Sequence, residues 1–142
     1  MTMIANATQK RAQLNREAIL SATPARLLTM LYDRLLLDLC RAEAAQLAEQ
    51  WPVASEQLLH AQAIIAELTS SLNVKAWNGG EGLRGLYAYV STALVNANVN
   101  RDVERTRESI ALLEPLRQAW HEASAAQPAQ AAPRTTGTLG FA

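Results

Sequence analysis

The sequence has one cysteine, aromatics at only 5% of its residues, and a formal net charge of zero. Each shortage excludes something. A lone Cys40 cannot close an internal disulfide, which fits a reducing compartment. Thirteen Lys plus Arg against thirteen Asp plus Glu leave no basic excess, so a nucleic-acid partner is not expected. The same balance gives no support to an acidic metal or polycation sink. No apolar run approaches the ~20 residues of a bilayer span, and the opening MTMIANATQKRAQLNRE has no apolar block of the signal-peptide kind. The expectation is a cytoplasmic protein with no membrane insertion.

What is present favours helices. The chain is 142 residues long and 49% hydrophobic, enough for one domain with a sizeable core. Leu and Ala dominate over Val and Ile, a helix-forming mix rather than a strand-forming one. Residues 1–22 are mostly polar, with Ile4, Leu14, Ile19 and Leu20 scattered among them, and read as an N-terminal arm with at most one short helix. Ser21-Ala22-Thr23-Pro24 then gives a strong helix start, with Thr as N-cap and Pro in the first turn.

Four stripes follow. Leu28, Leu31, Tyr32, Leu35, Leu39 and Ala42 recur at helical spacing over 24–49, with Leu36, Cys40 and Leu47 widening the apolar side. Arg26, Asp33, Arg34, Asp38 and Arg41 fall on the other side, and Cys40 reads as a small core residue. Leu58, Ala61, Ile65, Leu68 and Leu72 mark a helix over 52–72. After the Asn78-Gly79-Gly80 turn signal, Leu83, Leu86, Tyr87, Val90, Leu94 and Ala97 mark one over 81–99. Val103, Thr106, Ile110, Leu113 and Trp120 mark a fourth over 101–125, with Pro115 inside it and a kink expected there. Short links between long helices predict an all-α, antiparallel up-down four-helix bundle over 23–123. The Ala- and Pro-rich tail, 124–142, has too few large apolar groups to offset its ordering entropy and is expected to be disordered.

Catalytic chemistry has little to work with. The histidines are His60 and His121, with no HExxH, no Cys pair and no Glu-x-x-His pair of the di-iron type. No metal, cofactor or catalytic role is expected. Gly79-Gly80-Glu81-Gly82 lacks the Lys-Ser/Thr and the preceding strand of a phosphate loop and reads as a turn. Trp51, Trp77 and Trp120 read as covers for the ends of the core. A helical His60 admits one alternative, a histidine phosphotransfer bundle, and a further one is a cofactor bundle using Met and His ligands.

The informative feature is a second apolar face. Leu59, Ala63 and Ala66 recur nearly opposite the core stripe of 52–72, and Ala88, Thr92, Val95 and Val99 do so on 81–99. Helix propensity explains the alanines; it does not explain Leu59, Val95 and Val99. A contiguous patch of this kind points to a surface that receives another helix.

The order of several short motifs resembles the FliS family, the cytosolic export chaperones of flagellin. These are Ser21-Ala22-Thr23-Pro24; Leu27 through Met30-Leu31-Tyr32-Asp33; Leu58-Leu59-His60-Ala61-Gln62-Ala63-Ile64-Ile65-Ala66-Glu67-Leu68; Ser70-Ser71-Leu72-Asn73; Gly79-Gly80-Glu81; Leu86-Tyr87-Ala88-Tyr89; Ala97-Asn98 with Asp102; and Leu116-Arg117-Gln118-Ala119-Trp120. The resemblance spans about residues 14–123 and leaves the tail outside. It implies a chaperone that binds the disordered C-terminal segment of flagellin, prevents premature polymerisation, and docks on the cytosolic domain of the flagellar export gate. It also adds two residues to the candidate client surface of Leu59, Ala63, Ala66, Val95 and Val99: Asn98, from the Ala-Asn pair, and Leu14, which stands where such proteins often carry a Tyr that covers the empty groove. Asn73 stands for a usual Asp, the 72–79 segment is longer than usual, and 81–86 is shorter.

Overall fold

The computed structural model describes residues 2–21, 23–75 and 78–126. It has α1 (Thr2–Ser21), α2 (Pro24–Leu47), α3 (Trp51–Ser71), α4 (Gly80–Val99) and α5 (Val103–Ala125). Thr23 caps α2, its Oγ1 accepting from the Arg26 amide at 3.1 Å, and Pro24 follows it in the first turn. Asp102 caps α5 by accepting from the Glu104 amide at 3.0 Å. Each cap satisfies one of the amides that a helix start leaves without a partner.

Two links of three residues reverse the chain after α2 and α4. Both use a left-handed residue that is not glycine: Glu49 at φ 57° and Arg101 at φ 52°. The Gln50 amide reaches back to the Ala45 carbonyl at 2.8 Å, and the Asp102 amide to the Ala97 carbonyl at 3.0 Å. These are Schellman closures, which normally place Gly at the left-handed position. At the other end of the bundle, Gly80 has its own reason to be glycine. A Cβ there would meet the Val74 backbone at 2.6 Å.

α2 packs on α3 and α5, and α4 packs on α3 and α5. The four form a closed ring, and α1 takes part in none of these extensively packed pairs. Hydrogen bonds fix the directions. Asp33 meets Arg117 and His121 while Glu43 meets Arg107, so α2 and α5 run antiparallel. Tyr32 meets Tyr87 while Gln46 meets the Ala97 carbonyl, so α2 and α4 run parallel across the diagonal. This is the expected up-down bundle, with an added N-terminal helix of 20 residues where an arm was expected.

The core follows the stripes. Tyr32, Leu35, Leu39, Leu58, Ile65, Tyr87, Val90, Leu94 and Leu113 are buried, with Leu28, Leu31, Leu72, Leu86, Ile110 and Trp120 packed against them. Three expectations need correction. Asp38, placed on the solvent side from its spacing, is fully buried at 0% exposure. Its carboxylate receives Arg34 Nε at 2.9 Å and His60 Nδ1, two side chains whose outer parts reach solvent. Cys40 is exposed rather than core, and Leu47 is also exposed. Both sit beside the stripe on the outer side of α2, where an apolar side chain is tolerated but not covered. α5 continues through Pro115, which lies on its exposed side. The expected disorder of the tail falls mostly on 127–142, outside the described residues, as does Trp77.

Candidate binding surface

α3 buries Ala54, Leu58, Ala61, Ile64, Ile65 and Leu68. One step of about 100° beyond Leu58 lies Leu59, which is 55% exposed, and Ala63 and Ala66 are exposed with it. α4 buries Leu83, Tyr87, Val90, Ala93, Leu94 and Ala97. Val95 and Val99 are 42% and 73% exposed, with Ala88 and Thr92 also exposed and Asn98 half-buried between them. The helical phase read from the sequence therefore holds for both helices. His60, on the far edge of α3, points to Asp38 of α2, so Leu59 and Ala66 lie toward α4. Leu59 and Ala66 on α3 and Val95 and Val99 on α4 thus form two antiparallel rows on the outer side of the α3/α4 pair, while Thr92 faces a hollow shared with Arg105 of α5. Leu14 is brought to none of them by a core contact; its side chain is 58% exposed on α1.

Both ends of the bundle open into cavities. One, of about 390 Å³, lies between the two three-residue links and is lined by Trp51, Pro52, Ala54, Ser55, Leu58, Ala97, Asn98, Val99 and Arg101 with the buried Gln46. Asn98 and Val99 make it continuous with the α3/α4 seam. The other, of about 340 Å³, is more apolar and sits where α1 hands over to α2. Pro24, Leu27, Leu28, Leu31, Leu72, Leu83, Tyr87 and Trp120 line it. Sequence reasoning missed this second cavity because it assigned most of these residues to core stripes. The signal was Leu27, an apolar residue beside the stripe next to a helix start. Trp120 and Trp51 stand at opposite ends, as expected of end covers.

The titratable groups of the bundle serve its packing and surface. Burial raises the Tyr32 hydroxyl above its ordinary pKa, although hydrogen bonds from Tyr87 and Trp120 pull the other way. Burial and the bond to Tyr32 raise Tyr87 likewise. Both hydroxyls stay protonated and serve as a structural link at 2.6 Å. Burial acts to raise the Cys40 thiol, and the charges of Glu43 and Glu114 raise it further, which disfavours the thiolate a nucleophile needs. Asp33 on the α2/α5 surface is lowered instead: burial acts upward but is outweighed by hydrogen bonds from His121 and Arg117. Around His60, the nearby Arg34 guanidinium is bound to Asp38 rather than free to hold a phosphoryl group. Among the described residues, no group of three His, Cys, Asp or Glu side chains could hold a metal ion, and no helix is long and apolar enough to cross a membrane.

Comparison with known proteins agrees in outline. The family model "Flagellar protein FliS" matches residues 5–127. A relative from Escherichia coli (strain K12), "Flagellar secretion chaperone FliS", is 33% identical over 121 residues, covering 83% of this chain and 89% of that protein. A solved structure described as "Crystal structure of flagellar chaperone from bacteria" superposes with a TM-score of 0.67 at 19% identity. It covers 82% of this chain and 99% of that one, a likeness of fold.

Proposed function

The chain belongs to the FliS family of flagellar secretion chaperones, and on that premise we propose that its client is the C-terminal segment of flagellin, bound along the outer α3/α4 seam. The family is one of chaperones, not of enzymes. In this reading the protein works in the cytoplasm, keeps flagellin from polymerising early, and presents it to the cytosolic domain of the flagellar export gate. The observation that carries the reading is the second apolar face of Leu59, Ala63, Ala66, Val95 and Val99, exposed on a fold that does not need them for its core.

The energetics fit such a client. A disordered segment loses about 2–5 kcal/mol on ordering, and burial of apolar surface at about 25 cal/mol per Å² must exceed this together with the association cost. Small side chains let a client helix approach the seam closely, while Leu59 and the two valines supply anchors at helical spacing. Asn98 offers an amide donor and acceptor to a client backbone end. Isothermal titration of the full chain with a peptide of the organism's own flagellin C-terminal segment tests the reading. One-to-one binding is expected, and absence of binding would refute it.

A further inference from the structure

The cavity between the two links carries a cation at its rim. Arg101 holds its guanidinium carbon 4.9 Å from the centroid of the Trp51 ring. Among the described residues no carboxylate pairs with it within salt-bridge distance; the neighbouring Asp102 carboxylate is engaged in capping α5 at the Glu104 amide. Arg101 takes this position from a left-handed backbone, φ 52°, which costs a side-chain-bearing residue more than the ordinary region does. A glycine would meet the turn without that cost. α3 also begins at this cavity, with no side-chain cap at Gln50 and no acidic residue in its first turn. No acidic side chain within that first turn offsets its positive end. The cavity, about 390 Å³, is lined by the accessible apolar Trp51, Pro52 and Val99 and by the polar Gln46, Ser55 and Asn98, with Ala54, Leu58 and Ala97 buried. A cation beside these apolar walls matches the end of a polypeptide: a terminal carboxylate with an apolar side chain near it.

We propose that this cavity receives the C-terminal end of the client chain, its α-carboxylate on the Arg101 guanidinium and an apolar side chain against Trp51, Pro52 and Val99. The inference rests on the client reading above and deepens it. Asn98 and Val99 belong both to the cavity and to the seam, so one segment running along α3 and α4 ends in the cavity. The site then sets register. A client anchored at its free end can lie on the seam in one alignment only, whereas apolar contacts alone permit sliding by a turn.

The test uses the full chain and three synthetic peptides of the flagellin C-terminal segment: one with a free carboxylate, one amidated, and one extended by two glycines. A charge-assisted hydrogen bond lost at the chain end corresponds to about a tenfold weakening. Amidation and extension should each weaken binding by that factor. Arg101→Gln should bind the free and amidated peptides alike, and Arg101→Lys should restore part of the preference. Thermal melting of each variant checks that the fold is kept, and if Arg101→Gln does not fold, the peptide comparison on the unaltered chain still decides. Equal affinity for all three peptides would overturn the proposal and leave the client reading intact. A preference that survives in Arg101→Gln would also overturn it, by placing the carboxylate elsewhere. If none of the peptides binds, the client reading fails, and the inference fails with it.

Discussion

Ala63→Glu tests the proposed client surface separately from the fold. Ala63 is exposed on α3, one turn from Leu59 and close to Ala66. The change loses some helix propensity, a few tenths of a kcal/mol. It also places a like charge four residues before Glu67, worth about 0.2–0.5 kcal/mol. The free protein should therefore lose less than about 1 kcal/mol, and at roughly 2–4 °C per kcal/mol for a chain of this size its Tm should fall by no more than about 4 °C. With a client helix seated on the seam, the same carboxylate would be covered and unpaired. Its desolvation should weaken binding by a few kcal/mol, or about 30-fold to 1,000-fold in Kd. Ala63→Gln has nearly the same bulk without the charge and should weaken binding much less. The assay pairs thermal melting of each free variant with titration by the flagellin C-terminal peptide. Unchanged affinity in Ala63→Glu would move the client to another face and refute the reasoning. A collapsed fold would mean that α3 is rotated from the phase described here.

Four further outcomes follow from the packing. Thr106 donates to buried Gln46 at 2.7 Å; Thr106→Val should cost about 1–3 kcal/mol by chemical denaturation, while Thr106→Val with Gln46→Leu should recover most of that loss, because no buried partner is then left unpaired. Glu49→Gly should be neutral or stabilising by up to about 1 kcal/mol, since relief of the left-handed strain offsets the glycine's greater loss of chain entropy; a marked fall in Tm would show that the Glu49 side chain holds the link. Asp33→Asn should lower Tm at neutral pH, and the gap from the unaltered chain should close as pH falls below the unfolded value of 3.8, because a carboxyl lowered in the fold contributes only above that range; its half-exposed setting keeps the effect small. Pro115→Ala should raise Tm or leave it unchanged by restoring a helical amide in α5, and a clear loss would mean that the packing needs proline at this position.

Much of the bundle was legible because its signals are local or periodic. Thr23-Pro24 marks a helix start with its own chemistry, and the Leu58-Ala61-Ile65-Leu68 spacing marks a buried face regardless of what covers it. The second apolar face was legible for the same reason, since phase alone separates Leu59 from Leu58. Asp38 was not. A carboxylate at the edge of a stripe is read as solvated, and only the arrival of His60 from α3 and Arg34 one turn back makes its burial tolerable. Cys40 and Leu47 failed the opposite way, as apolar residues next to a stripe whose outer neighbours never arrive. The links at Glu49 and Arg101 carried no glycine to announce their left-handed residues. The cavity beside Pro24 depends on how four helix ends meet, which no single stripe encodes.

A helix with two apolar faces poses a problem of choice, and the buried polar links answer it. Hydrophobic burial does not by itself distinguish Leu58 from Leu59, since a rotated α3 could bury the second face and expose the first. Directional bonds remove that freedom. Arg34 of its own helix reaches one oxygen of the buried Asp38 whatever α3 does, but the other oxygen meets His60 only when His60 lies at the α2 side of α3, which turns Leu59 and Ala66 outward. Tyr32 meets Tyr87 near one end of α4, and Gln46 meets the Ala97 carbonyl near the other, so α4 is pinned in phase at both ends with Val95 and Val99 outward. Each link adds only modest net stability, but leaving one unmade in a dry interior costs about 1–3 kcal/mol per group. In the rotated alternatives that cost would fall on several groups at once. The polar core therefore acts against the wrong packing more than for the right one, and it lets the protein keep a second apolar face open without burying it in its own fold.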